Sequence, residues 1–214
     1  SDVFNWTYDS TGPIAVITYS VPGPYTSGDT VTITATFNDP VLDSPVPTIA
    51  IAGSGIANVT STNMARTSTT VYTYSYSVPT GDGTGTVTVG TGTDAAGNIV
   101  TATPTSGATF TVDNTAPSLT QVTAVVTPSN NTTPSYVFTT GEAGTITSSL
   151  SFSSTTSATT GSNQTITFST LSEGTYSPTV TVTDAAGNFG TITISPFTID
   201  TTAPTVSSFT ISDT

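Results

Sequence analysis

The stretch Val112-Asp113-Asn114-Thr115-Ala116-Pro117 decides how this chain is divided. It returns near the end as Ile199-Asp200-Thr201-Thr202-Ala203-Pro204, and near the start as Tyr8-Asp9-Ser10-Thr11-Gly12-Pro13. Each copy lies between runs in which apolar and polar residues alternate, the period of a half-buried strand. Each therefore reads as a joint between two β units. A second phrase keeps the same order: Asp94-Ala95-Ala96-Gly97-Asn98 recurs as Asp184-Ala185-Ala186-Gly187-Asn188, each time upstream of the next joint. Intervals of this length exceed the periods of solenoids and predict whole domains in tandem.

The joints divide the chain into four parts. Residues 1–9 read as the last strand of a preceding repeat or an N-terminal strand, 10–113 as a first domain and 114–200 as a second. Residues 201–214 read as a linker with the first strand of a following repeat. Strands before the later joints, Ala108 to Val112 and Pro196 to Ile199, match the opening Ser1 to Tyr8, where Trp6 covers a hydrophobic edge.

Composition narrows the function classes. Threonine is the commonest residue, and β-branched residues between Gly/Pro-rich turns predict strands rather than helices. The slightly positive mean hydropathy argues against disorder. Thirteen acidic residues face a single basic one, Arg66, and there is no His, so the net charge is −12. Such a chain is repelled by nucleic acid and by anionic membranes. No run is apolar and long enough for direct membrane insertion as a helix. Without Cys there are no disulfides, and without Lys there is no lysine isopeptide staple. Catalysis is left with paired carboxylates, as in glycosidases. Here the carboxylates fall at repeated positions rather than in one irregular cluster, so the expectation is not an enzyme.

In the first domain Ile14 to Tyr19, Val31 to Phe37 and Thr48 to Ala52 predict strands, and residues 53–69 predict looser structure. Val71 to Val78 puts Tyr72, Tyr74, Tyr76 and Val78 on one face. That row reads as core, with a sugar-stacking platform as its rival. In the second domain the strands are Ser118 to Val126, Ser135 to Thr140, Thr145 to Thr147, Leu150 to Phe152, Thr165 to Phe168 and Thr179 to Asp184.

The order Asn130-Asn-Thr-Thr-Pro134, Thr139-Thr-Gly-Glu-Ala-Gly144, Leu171-Ser-Glu-Gly-Thr-Tyr176, Asp184-Ala-Ala-Gly-Asn188 and Asp200-Thr-Thr-Ala-Pro204 resembles the bacterial and archaeal Ig-like repeats of large cell-surface proteins. The resemblance covers the second domain most fully; the first looks like a longer variant. It implies an all-β chain of two tandem Ig-like Greek-key β-sandwich domains, with partial strands of neighbouring repeats at both ends. It further implies an extracellular, cell-surface setting, roles as stalk, adhesin or surface-layer subunit, and Ca²⁺ between domains; the function expected is a structural stalk, surface-layer or filament component. Tyr176 then takes the place of the tyrosine corner.

In that topology the B–C and F–G loops lie at the pole where strand A begins. The Asp184 and Asn188 loop is then expected beside Asp113 and Asn114, with Glu142 from the B–C turn. Likewise Asp94, Asn98 and Asp39, with Asp43 in reach, are expected to face Asp9. Asp200 belongs to a third such site. Converging carboxylates with no nearby base repel one another, and a hard cation with six to eight oxygen ligands relieves that; Ca²⁺ suits the donor set. Asp29, Asp82 and Glu173 read as turn formers at the opposite pole, with Asp29 or Asp82 able to reach the Asp113 joint from the other side. The expected partners are neighbouring repeats or subunits of the same protein. The alternative is an adhesin module that binds surface glycans.

Overall fold

The computed structural model describes residues 8–211, and the chain divides into two compact units, one ending at Thr115 and the other beginning at Ala116. The expected strand of residues 1–7, with Trp6, lies outside the described residues. Among the described residues there is no helix, and hence none long and apolar enough to cross a membrane.

The first unit is built from β1 (Ala15–Tyr19), β2 (Thr30–Phe37), β3 (Thr48–Gly53), β4 (Val59–Asn63), β5 (Ala65–Arg66), β6 (Val71–Ser77), β7 (Gly83–Gly90) and β8 (Thr109–Val112). One sheet runs β1-β2-β6-β5 and the other β4-β3-β7-β8. In Ig lettering these are ABED and C′CFG. Strand β2 shows why the sequence folds this way. Val31, Ile33, Ala35 and Phe37 turn inward, while Thr30, Thr32 and Thr36 face solvent. One apolar cluster joins both sheets, with Ile33 and Tyr72 from the first meeting Ile51, Val87 and Phe110 from the second. Burying one such Ile or Phe contributes about 1.5–3 kcal/mol, which supplies cohesion without disulfides.

Aromatic packing tightens this core. Phe110 meets Tyr76, Tyr19 and Tyr25 at ring separations of 5.4, 5.8 and 6.0 Å. Gly85 lies under the Phe110 ring, where a Cβ has no room. Burial holds the Tyr19 phenol up at about 12, with the neighbouring Tyr25 adding to the shift, and its hydroxyl donates to the Gly107 carbonyl. Tyr72, Tyr76 and Val78 are buried and Tyr74 packs partly against the same core. The tyrosine row is thus core and presents no stacking platform.

The second unit holds β9 (Leu119–Thr123), β10 (Ser135–Thr140), β11 (Gly144–Ser148), β12 (Ser157–Ala158), β13 (Asn163–Thr167), β14 (Gly174–Tyr176), β15 (Thr179–Thr183), β16 (Phe189–Thr193) and β17 (Phe197–Ile199). Sheet β13-β10-β9 faces sheet β12-β11-β15-β16, with β14-β17 prolonging the last pair. Phe138, Ile146, Ile166, Val180 and Phe197 fill the space between. Tyr176 donates its hydroxyl to the Ser172 carbonyl at 2.9 Å, a tyrosine corner. The two-domain, all-β, Ig-like sandwich architecture read from the sequence is the one observed.

Three local expectations need correction. Residues 53–69 contain β4 and β5, because β4 pairs β3 and β5 pairs β6 along exposed edges that alternation cannot reveal. Leu150 to Phe152 forms no strand; Phe152 makes only an isolated bridge to Phe168. Residues 201–211 are exposed and carry no strand, since nothing in the described chain pairs with them.

Candidate metal centre

At one pole of the first unit the chain brings Asp9, Asp39 and Asp94 together. Asp9 precedes β1, Asp39 follows β2, and Asp94 follows β7. One carboxylate oxygen from each lies within 4.8 Å of the others. The three residues line a shallow depression with Pro40, Ala95 and Ala96.

The Asp94 loop explains its motif residue by residue. Asp94 Oδ1 accepts the N–H groups of Ala96 and Asn98, both at 2.9 Å. Asn98 Nδ2 donates to Asp94 Oδ2 at 2.9 Å and to the Asp9 carbonyl at 3.2 Å. Gly97 takes a φ of 89°, the left-handed turn that closes this cradle and that glycine adopts without a Cβ clash. Burial alone pushes the Asp94 carboxyl up. The hydrogen bonds from Asn98, Ala96 and Gly97 outweigh it and hold the group below its usual value, so it stays ionised. Asn98 therefore braces Asp94 and Asp9 through its amide nitrogen. Asp9 itself closes a short turn by accepting the Thr11 N–H at 3.0 Å.

A carboxylate oxygen has two acceptor sites. Oδ2 of Asp94 accepts from Asn98 Nδ2, which occupies one of those two sites. Three carboxylates at this spacing could hold a hard cation. The chain's one base is engaged nearby: Arg66 Nε contacts Asp43 at 2.8 Å. Asp43 thus pairs with a guanidinium rather than joining the three.

The second unit repeats the cradle. Asp184 Oδ1 accepts the N–H groups of Ala186 at 2.8 Å and Asn188 at 2.9 Å, and Asn188 Nδ2 donates to Oδ2 at 3.0 Å. Gly187 takes a φ of 92°. Glu142 lies half-buried between β10 and β11, with its carbonyl accepting the Thr140 hydroxyl at 2.8 Å.

The joint residues behave alike. Asp113 Oδ1 accepts the Thr115 N–H at 3.1 Å, and Asp200 Oδ1 accepts the Thr202 N–H at 3.0 Å. Asn114 turns to its own unit, donating Nδ2 to the Gly81 carbonyl and accepting the Ser27 N–H, both at 2.6 Å.

Sequence reading missed Glu173 in this framework, and gave Asp82 as a turn former with the Asp113 joint in reach. Asp82 accepts the Asn114 N–H and, at 2.6 Å, the Thr115 hydroxyl. Glu173 Oε2 accepts the hydroxyls of Thr201 at 3.1 Å and Thr202 at 2.7 Å. The available signal was positional, an acidic residue directly ahead of strand F in both domains.

Comparison with known proteins gives a family match within the second unit. The bacterial Ig-like domain family matches residues 126–201. No curated protein matches the chain. Among solved structures, the fibronectin(III)-like modules of CbhA from Clostridium thermocellum are similar with a TM-score of 0.43 and 13% identity, over 87% of this chain and 94% of theirs. The resemblance read from the motifs of the second domain therefore stands: residues 126–201 match the bacterial Ig-like domain family.

Proposed function

We propose that this chain is a structural module of an extracellular repeat protein, a stalk, surface-layer or filament component, whose joints are stiffened by Ca²⁺. The observation that carries this reading is the meeting of Asp9, Asp39 and Asp94, one residue from a joint and two from loops of the domain that follows it. A cation held by all three ties the joint segment to the sandwich. Without it, like-charge repulsion loosens the same segment. The second cradle, Asp184 with Asn188, extends the reading by repetition.

The family match supports the setting, since bacterial Ig-like domains are often surface-exposed. The partners on this reading are neighbouring repeats or subunits. The glycan-binding alternative loses its strongest sequence feature with the burial of Tyr72 and Tyr76.

Calorimetric titration with Ca²⁺, paired with small-angle scattering with and without chelator, tests the proposal. Binding with a chelator-dependent maximum dimension supports it; absence of binding, or an unchanged dimension and melting temperature, overturns it.

A further inference from the structure

We infer that each unit fixes the course of the chain leaving it with a carboxylate from the turn ahead of strand F, and that this hold requires no metal. The inference goes beyond the Ca²⁺ reading and uses none of Asp9, Asp39 and Asp94.

In the first unit the carboxylate is Asp82, in the turn that opens β7. One oxygen accepts the Asn114 N–H and the other the Thr115 hydroxyl. Asn114 completes the clasp through the Gly81 carbonyl and the Ser27 N–H, so the outgoing segment is fastened to two separate turns. In the second unit the carboxylate is Glu173, in the turn that opens β14, and it takes the hydroxyls of Thr201 and Thr202 on one oxygen.

The turns differ in sequence and the acids differ in length. Both nonetheless reach the first hydroxyl-bearing residues beyond the last strand of their unit. Hydrogen bonds to an ionised acceptor are about twice as strong as neutral ones. Both carboxyls are correspondingly held below their ordinary values, Asp82 first by Thr115 and Glu173 first by Thr202.

The Pro of each joint, Pro117 or Pro204, stands two residues beyond the clasped threonine and fixes its own φ near −65°. Clasp and proline together leave few free torsions in the exit segment. Asp82 and Glu173 are thus positioning residues for whatever follows each joint.

Residue-resolved hydrogen exchange on the full chain in EDTA tests this. In the parent protein the Asn114 amide is expected to be protected without metal. Asp82→Ala should speed its exchange by about tenfold, the factor that loss of one charge-assisted hydrogen bond carries, while Phe110 in β8 stays protected. Thr115→Val, which removes one hydroxyl and threatens no core contact, should raise the backbone mobility of 114–115 in NMR relaxation. Glu173→Ala should do the same at 201–202. Equal exchange at Asn114 in parent and Asp82→Ala, or protection that appears only when Ca²⁺ is added, overturns the inference. Because the expected protection is read in chelator, failure of the Ca²⁺ proposal leaves it unaffected.

Discussion

Asn98 grips Asp94 twice, N–H to Oδ1 and Nδ2 to Oδ2, each at 2.9 Å. The same amide also holds the Asp9 carbonyl, so one side chain couples the joint to the F–G loop. Asn98→Ala is expected to lower the melting temperature of the metal-free protein and to loosen 9–11 in hydrogen exchange. Asn188→Ala should leave residues 9–11 untouched. Equal effects of both variants at 9–11 would count against this coupling.

Asp39 contributes a half-buried carboxylate to the cluster. Asp39→Asn should weaken Ca²⁺ binding by at least about tenfold, the smaller of the losses found even for changes just outside a metal's ligands. Because one of three crowded negative charges is removed, the metal-free protein should not lose stability. Calorimetry and a chelated melting curve check the two halves separately.

Two tyrosines of the second unit should respond to loss of the hydroxyl with opposite signs. Tyr176→Phe removes the 2.9 Å bond to Ser172 and should cost about 0.5–1.5 kcal/mol. The Tyr136 hydroxyl is buried and has no hydrogen-bond partner among the described residues. Tyr136→Phe should therefore raise stability by about 1 kcal/mol, since it removes a desolvated polar group. Denaturant midpoints at constant m-value decide both. A destabilised Tyr136→Phe would contradict the second expectation.

Acid should act on the clasps in a defined window. Asp82 and Glu173 both have carboxyls lowered in the folded state by the hydroxyls that donate to them. Their contribution is fully present above the ordinary values of 3.8 and 4.5 and is lost as pH falls through the depressed folded values. Stability of the metal-free chain should thus fall as pH drops below about 4.5. Glu173→Gln should remove part of that fall. A stability that rises between pH 4.5 and 3 would refute the assignment.

Much of this was legible because the relevant signals are periodic. Alternation in Thr30 to Phe37 fixes which face is buried, and strand order alone brings Asp39 and Asp94 to the pole of Asp9. What escaped notice depends on contacts between distant segments. Glu173 stands in a Ser-Glu-Gly turn, and local chemistry accounts for it fully until Thr201 and Thr202 are seen to donate to it across the unit. Asn114 similarly looks outward in sequence, yet both ends of its amide are taken by its own unit. Strands β4 and β5 lie on sheet edges where no buried face imposes a pattern.

The pairing of Arg66 with Asp43 has a consequence for resistance to proteolysis. A protease that cuts after basic residues finds in this whole chain one such bond, Arg66-Thr67. That arginine lies in β5, hydrogen-bonded along β6, with its guanidinium held by a carboxylate. Cleavage there requires the edge strand to peel away first. Trypsin-like digestion should accordingly leave the folded chain whole, and a single nick at Arg66 would report directly on how often that edge opens.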